Sequence, residues 1–245
     1  MASNDPITLQ LPLDSIQLPQ QMSYRQLLKT KDKAIWKKGL CNELGRLAQG
    51  YKDIKGCNTF FFIPKSRVPR NKKVTYARLV CAIWPQKIEI YRVRLTAGGN
   101  LIDYPGVTSI PMAGIVTIKT HWNSVISTPN NKYYTIDIKD FYLNSLLESF
   151  EYMRILFDIL PQDIIIQYEL NSMVAEDGFV YIEVRGGIYG LPQAGRLAHD
   201  DLVTHLAQYD YALVKYTLGL WTHKSNGITF TLVVNDFSIK YSTEK

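Results

Sequence analysis

Asp137 closes an apolar, alternating run from Tyr133 to Ile138, and an aromatic, Tyr142, follows five residues later. A second polar pair, Asn235-Asp236, stands at the turn of the hairpin-like stretch Phe230-Thr-Leu-Val-Val-Asn-Asp-Phe237. A strand-end carboxylate opposite a hairpin-tip carboxylate can hold hard divalent cations. Magnesium takes oxygen ligands in octahedral array and fills its remaining positions with water or substrate phosphates. Two such ions, roughly 4 Å apart, can activate a hydroxyl nucleophile and stabilise a departing pyrophosphate. That reaction is nucleotidyl transfer, and an aromatic just after the first carboxylate can press on the incoming sugar and reject a 2′-hydroxyl. Taken singly these features are ordinary, since aspartate caps strands and Asn-Asp is a common hairpin turn. Their order is what counts, with a tight turn into a helix, Tyr189-Gly-Leu-Pro-Gln-Ala-Gly195, lying between them.

The elements that must position these residues are readable from periodicity. Trp36, Leu40, Leu44 and Leu47 recur on one face of a helix predicted over Asp32–Gln49. Strand-like segments follow at Asn58–Ile63, Val74–Ile83 and Ile88–Ala97, punctuated by prolines and Gly98-Gly99. In the last of these Tyr91, Val93 and Leu95 alternate with Arg92, Arg94 and Thr96, so both arginines share a face. Further helices are predicted over Ile115–Ser127 and from Gln193 to Tyr209, with a second hairpin-like pair at Phe179–Val184. Two closing hairpins are expected, Leu218–His223 with Ile228–Val234, then Ile228–Val234 with Phe237–Tyr241 across Asn235-Asp236. Strands and helices interleave without regular βαβ spacing, which predicts an α+β fold with an antiparallel sheet backed by helices.

Charge is distributed unevenly. Between Tyr24 and Asn100, 18 Lys and Arg face 4 Asp and Glu, although the whole chain carries a net charge of only +6. A local surplus of that size is the footprint of a polyanion-binding surface. No apolar run reaches the roughly 20 residues of a membrane span, and the N-terminus lacks a secretory pattern. An intracellular protein without a membrane partner is expected. Cys41, Cys57 and Cys81 are too few and too far apart for a disulfide framework or zinc site. His121, His199, His205 and His223 occur singly, which leaves a metal-dependent nuclease without its His-carboxylate clusters.

Set in order, these segments resemble the reverse transcriptases of copia-type retroelements. Asp137-Ile-Lys-Asp-Phe-Tyr-Leu-Asn144 looks like their first catalytic motif, and Leu191-Pro-Gln-Ala-Gly195 like the second polymerase motif. Leu232-Val-Val-Asn-Asp-Phe237 resembles the hairpin that ends in Asp-Asp. Arg92-Val-Arg-Leu-Thr-Ala-Gly-Gly99 resembles a fingers strand, with Asp103-Tyr104 downstream, and the Trp36 helix with Glu43 resembles the segment that opens the domain. The similarity covers about residues 30–245. It implies a right-hand polymerase: an N-terminal tail over 1–23, a fingers-like region over 24–128 and a palm-like region over 129–245. It also implies an RNA-directed DNA polymerase with two Mg2+ ions, an RNA template, a DNA primer and deoxynucleoside triphosphates. The expected location is cytoplasmic or nuclear, within a retroelement particle. Carried over by position, Asp137 and Asp236 would bind metal, Tyr142 would select the sugar and Gln193 would contact nucleotide or template. Arg92 or Arg94 would grip the triphosphate.

Two departures stand against that pattern. The first hairpin aspartate of the family is Asn235 here, which offers a neutral carbonyl in place of an anionic carboxylate. Only nine residues follow Asp236, so the thumb and ribonuclease H of the family are expected to be missing from this chain. The alternative reading is therefore a non-catalytic nucleic-acid-binding remnant of a retroelement polyprotein.

Overall fold

The computed structural model describes residues 22–242, so the predicted tail lies almost entirely outside the described residues. In chain order the first elements are α1 (Tyr24–Leu27), α2 (Lys33–Leu47), β1 (Phe60–Ile63), β2 (Val74–Ile83), β3 (Tyr91–Ala97) and α3 (Ile115–Ser127). Then come β4 (Asn131–Asp137), β5 (Leu146–Leu156), α4 (Gln162–Gln167), β6 (Phe179–Gly186) and α5 (Ala194–Gln208). Four strands close the chain: β7 (Tyr211–Leu213), β8 (Leu220–His223), β9 (Thr229–Val233) and β10 (Asp236–Ser242).

These strands build two five-stranded sheets, ordered β1-β6-β5-β2-β3 and β4-β10-β9-β8-β7. The second sheet is antiparallel throughout. The first is antiparallel except where Val74–Tyr76 of β2 run parallel to Tyr152–Arg154 of β5. The architecture is α+β with antiparallel-rich sheets. The two sheets do not divide the chain at one point. β5 and β6, beyond residue 128, complete the sheet begun by β1–β3, while α3, before it, packs on the second sheet.

The main core forms where α2 lies on the first sheet. Trp36, Leu40, Leu44 and Leu47 are buried, as their spacing requires, against Val93 and Leu95 of β3 and Ile182 and Val184 of β6. Each such side chain contributes roughly 1.5–3 kcal/mol when fully buried. The indole of Trp36 meets Tyr91 edge-on at 5.2 Å. Cys41, Cys57 and Cys81 are all free thiols.

The second sheet has a helix on each face. Trp221, Phe230, Leu232 and Phe237 pack with Leu206 of α5. On the opposite face His121 of α3 meets Thr229 Oγ1 at 3.0 Å, and Lys240 Nζ donates to the Ser124 carbonyl at 3.1 Å and to Thr128 Oγ1 at 3.2 Å. Among the described residues no helix is long and apolar enough to cross a membrane.

Several elements differ from the sequence reading, among them Phe179–Val184, expected as a hairpin-like pair and found within the single strand β6. β5 was not anticipated, nor were the short α4 and β7. The turn of the last hairpin is Val234-Asn235 instead of Asn235-Asp236, because Asp236 is already paired as the first residue of β10. The strand predicted from Ile88 begins at Tyr91, after a turn at residues 85–90.

Candidate active site

β4 and β10 bring the sequence-predicted carboxylates together. Asp137, the last residue of β4, pairs directly with Asp236, the first of β10. By strand alternation both side chains lie on the face that Lys240 turns towards α3. Both aspartates are exposed.

Asn235 lies between them in the chain reversal and bonds back to β4. Its Nδ2 donates to Asp137 Oδ1 and to the Ile138 carbonyl at 3.3 Å, and its own carbonyl accepts the Ile138 N–H at 3.1 Å. With two acceptors facing it, the amide nitrogen is the atom that belongs on this side. Val234 before it has φ +57°, a left-handed conformation that a β-branched residue adopts only under strain. The surrounding ladder holds the tip in that shape.

Tyr142 follows the carboxylate strand on a short turn. Asp140 adopts φ +54°, and the turn Phe141–Asn144 then buries Phe141 and Leu143 while leaving Tyr142 half-buried. Burial pushes the Tyr142 phenol pKa up, with Tyr189 adding to the effect. The two rings meet edge to face at 5.4 Å. Gly187 runs along the same turn so closely that a Cβ there would collide with the Tyr142 carbonyl.

Tyr189 then links this group to β3. The Arg94 guanidinium lies over its ring at 4.8 Å, and the Ala97 N–H donates to its carbonyl at 2.8 Å. Of the two candidate arginines, Arg94 is therefore the one beside the Tyr189–Tyr142 pair. Arg92 has a buried Nε without a hydrogen-bond partner among the described residues. On the arginine face of β3 a groove of about 590 Å³ opens over Arg78, Thr96, Asn100, Gly190 and Pro192.

Behind β3 a buried carboxylate anchors the strand. Glu43 of α2 is 4% exposed, accepts the Leu95 N–H at 3.1 Å and pairs with Arg46 at 2.9 Å. Burial raises its pKa, opposed by the Leu95 N–H, Arg46, Arg92 and Arg94. Arg46 also binds Glu89 at 2.9 Å. Burial works against the Arg46 charge, but Glu89, Glu43 and the more distant Asp140 outweigh it and hold its pKa above the ordinary value.

Gln193 is buried at the start of α5. Its Nε2 donates to Glu151 Oε1 at 3.3 Å, and its Oε1 is buried with no partner among the described residues. The structure thus brings Asp137, Asn235 and Asp236 together, and separately joins Arg94 to Tyr142 through Tyr189. The five residues from Asp137 to Tyr142 connect the two groups. Tyr189 and Glu151 were given no role from sequence. Tyr189 stood in the quoted turn motif, whereas nothing local marked Glu151.

The donor set can be compared with what magnesium requires. Among the described residues no group of three or more His, Cys, Asp or Glu converges. Asp137 and Asp236 offer carboxylates at one ladder position, fewer oxygens than even one hard cation takes, so water or phosphate would have to supply the rest. They do not fit two, because the third group is an amide whose N–H faces the Asp137 carboxylate. No protein-family model and no curated protein matches the chain.

Proposed function

We propose that this chain is the fingers and palm of a copia-type reverse transcriptase whose catalytic centre is impaired at Asn235. Residues 24–128 would correspond broadly to fingers and 129–245 to palm, acting on an RNA template, a DNA primer and deoxynucleoside triphosphates inside the cell. The observation that carries this reading is the pairing of Asp137 with Asp236 beneath a turn that holds Asn235, brought together across 98 residues of sequence. Arg94 over Tyr189, with Tyr142 against the same ring, supports the same reading for the triphosphate and sugar.

In this reading Asp137 and Asp236 would hold a cation, Tyr142 would close on the sugar, Gln193 would contact nucleotide or template, and Arg94 would carry negative phosphate oxygens. The unaltered chain should extend a primer at least about 10³-fold more slowly than its Asn235→Asp variant, the scale of losing one preorganised charged group. The measurement is magnesium-dependent DNA primer extension on an RNA template, with each chain joined to a thumb. Absence of extension by N235D under those conditions would sink the polymerase reading.

One observation favours the second reading, a non-catalytic nucleic-acid-binding remnant. The Asn235 amide already satisfies Asp137 without a cation, so the tip is stable as a structural hairpin. That reading predicts binding whose logarithm falls linearly with the logarithm of salt concentration. A flat salt response would count against it.

A further inference from the structure

The two sheets end in the edge strands β1, β3, β4 and β7, and β4 differs from the other three. β1 and β7 run for only four and three residues, and the Phe60 carbonyl on the open side of β1 accepts from Gln49 Nε2 at 2.8 Å. On β3 the outward N–H groups of Leu95 and Ala97 donate to Glu43 Oε1 at 3.1 Å and to the Tyr189 carbonyl at 2.8 Å. Shortening an edge and covering it are ordinary ways in which sheets avoid pairing with other chains. β4 uses neither. It runs for seven residues in unbroken register with β10, and all but Asn131 are exposed.

The ladder fixes which backbone groups of β4 are free. The Ile138 N–H is bonded to Asn235, so by antiparallel alternation the even-numbered residues turn their backbone groups towards β10. Asn131, Tyr133, Thr135 and Asp137 turn theirs outward. Those of Tyr133 and Thr135 have no partner among the described residues. From Tyr133 to Ile136 the strand is tyrosine, tyrosine, threonine and isoleucine, all strand-forming types, with no proline, bulge or charge to discourage pairing. On the face away from α3, Tyr134 and Ile136 are 58% and 44% exposed and line a groove of about 930 Å³ with Phe230, Phe237 and Ile239.

We propose that β4 is a homodimer interface, pairing antiparallel with β4 of a second copy so that the two antiparallel sheets become one. A two-fold axis normal to the sheet keeps each residue on its own face. It therefore permits only registers that pair odd residue numbers with odd and even with even. The register centred on Tyr134 meets this condition and uses every outward residue. Tyr133 of each copy then faces Thr135 of the other in a hydrogen-bonded pair, and Asn131 faces Asp137. Tyr134 meets its own counterpart at the axis, in a non-hydrogen-bonded position where side chains approach most closely. The end of one strand that bears Lys132 lies against the end of the other that bears Asp137, whereas in-register parallel pairing sets like charge beside like. The strand thus complements itself in hydrogen bonding and in charge, which selects a second copy over an unrelated strand. The two hairpin tips lie at opposite ends of the shared pair, about 20 Å apart at roughly 3.4 Å per residue. Dimerisation through β4 goes beyond the catalytic reading and does not rest on it.

Sedimentation equilibrium of the whole chain over a concentration series is the test, and the wild type should follow a monomer–dimer equilibrium. Thr135→Pro removes an outward N–H that the β4–β10 ladder does not use, and Tyr134→Lys sets like charges against each other at the axis. Each should raise the dimer dissociation constant at least about tenfold. Both side chains are exposed, and circular dichroism checks that the variants are folded. The register has its own readout on a non-reducing gel, against a wild type that carries the same free cysteines. Under mild oxidation Tyr134→Cys should cross-link to its counterpart, since directly opposed residues fall within disulfide reach. Tyr133→Cys should not, because its counterpart is a diagonal neighbour about 7–8 Å away. A chain that stays monomeric, a folded Thr135→Pro or Tyr134→Lys variant that dimerises as tightly as wild type, or assembly that grows past the dimer overturns the proposal. So does cross-linking through Tyr133→Cys in preference to Tyr134→Cys. None of these outcomes alters what primer extension by Asn235→Asp reports, so the two readings stand or fall separately.

Discussion

Between Asn235 and Asp137 an amide N–H occupies the place where a second carboxylate would need a cation to neutralise it. Hydrogen bonds to charged groups contribute roughly 1.5–3 kcal/mol in general, and solvent at this exposed tip reduces that figure. Asn235→Asp removes the donor and sets two carboxylates against each other. Its thermal midpoint without magnesium should fall by roughly 2–4 °C, on the scale of about 1 kcal/mol for a chain of this size. Magnesium should raise the midpoint of the variant more than that of the wild type; equal responses in a calorimetric scan would contradict this account. The carboxylate positions were legible from residue type and order alone. The choice between Arg92 and Arg94 was not, because alternation puts both on one face and only the folded position of Tyr189 separates them.

Among the elements, the join between β3 and the Tyr189-Gly190 turn carries the second group of site residues. Gly190 has φ +93°, and a Cβ there would collide with the Ala97 carbonyl. Gly190→Ala should therefore destabilise the chain by at least roughly 2 kcal/mol, from backbone strain and collision together. It should also part Arg94 from Tyr189, and urea denaturation followed by tyrosine fluorescence reads both changes. The α2–β3 link has a pH signature. Burial raises the Glu43 pKa above its ordinary 4.5, so between 4.5 and the raised value the folded chain holds a proton that the unfolded chain has lost. This group's contribution is most favourable below that window and is lost as pH rises through it. Glu43→Gln can still accept the Leu95 N–H but does not titrate, so its urea midpoint should decline less than wild type as pH rises from 4.5. A parallel decline in both proteins would refute the assignment. Helical period and strand alternation located α2, β2 and α3 from sequence. β5 escaped because Glu148, Ser149 and Glu151 interrupt its alternation, and its pairing with β6 is itself irregular between Leu146 and Glu151. α4, six residues long, is too short to show a period.

For the molecule as a whole, charge asymmetry and topology act together. The basic first lobe was visible as composition, but the placing of Arg94 beside Tyr189 and Tyr142 depends on the fold. The sheets are also interleaved along the chain: β1 pairs only with β6, and β4 only with β10. A fragment of residues 22–128 would lack β5 and β6 from the middle of the first sheet and should be largely unfolded. Far-UV circular dichroism and proteolysis check this, and a protected, cooperative fragment would show that the lobes are separable.

The same interleaving governs how the chain is made. On a ribosome Phe60 and Phe62 emerge long before Val184 and Ile182, the residues that cover them as ladder partners. Throughout that interval an apolar strand has no native neighbour on either edge, a condition that exposes nascent chains to aggregation. Asp137 likewise emerges well ahead of Asp236, so the second sheet cannot close until the last strand appears. The strand order alone thus leaves apolar edges unpaired until late in synthesis, whatever the chemistry at the hairpin tip.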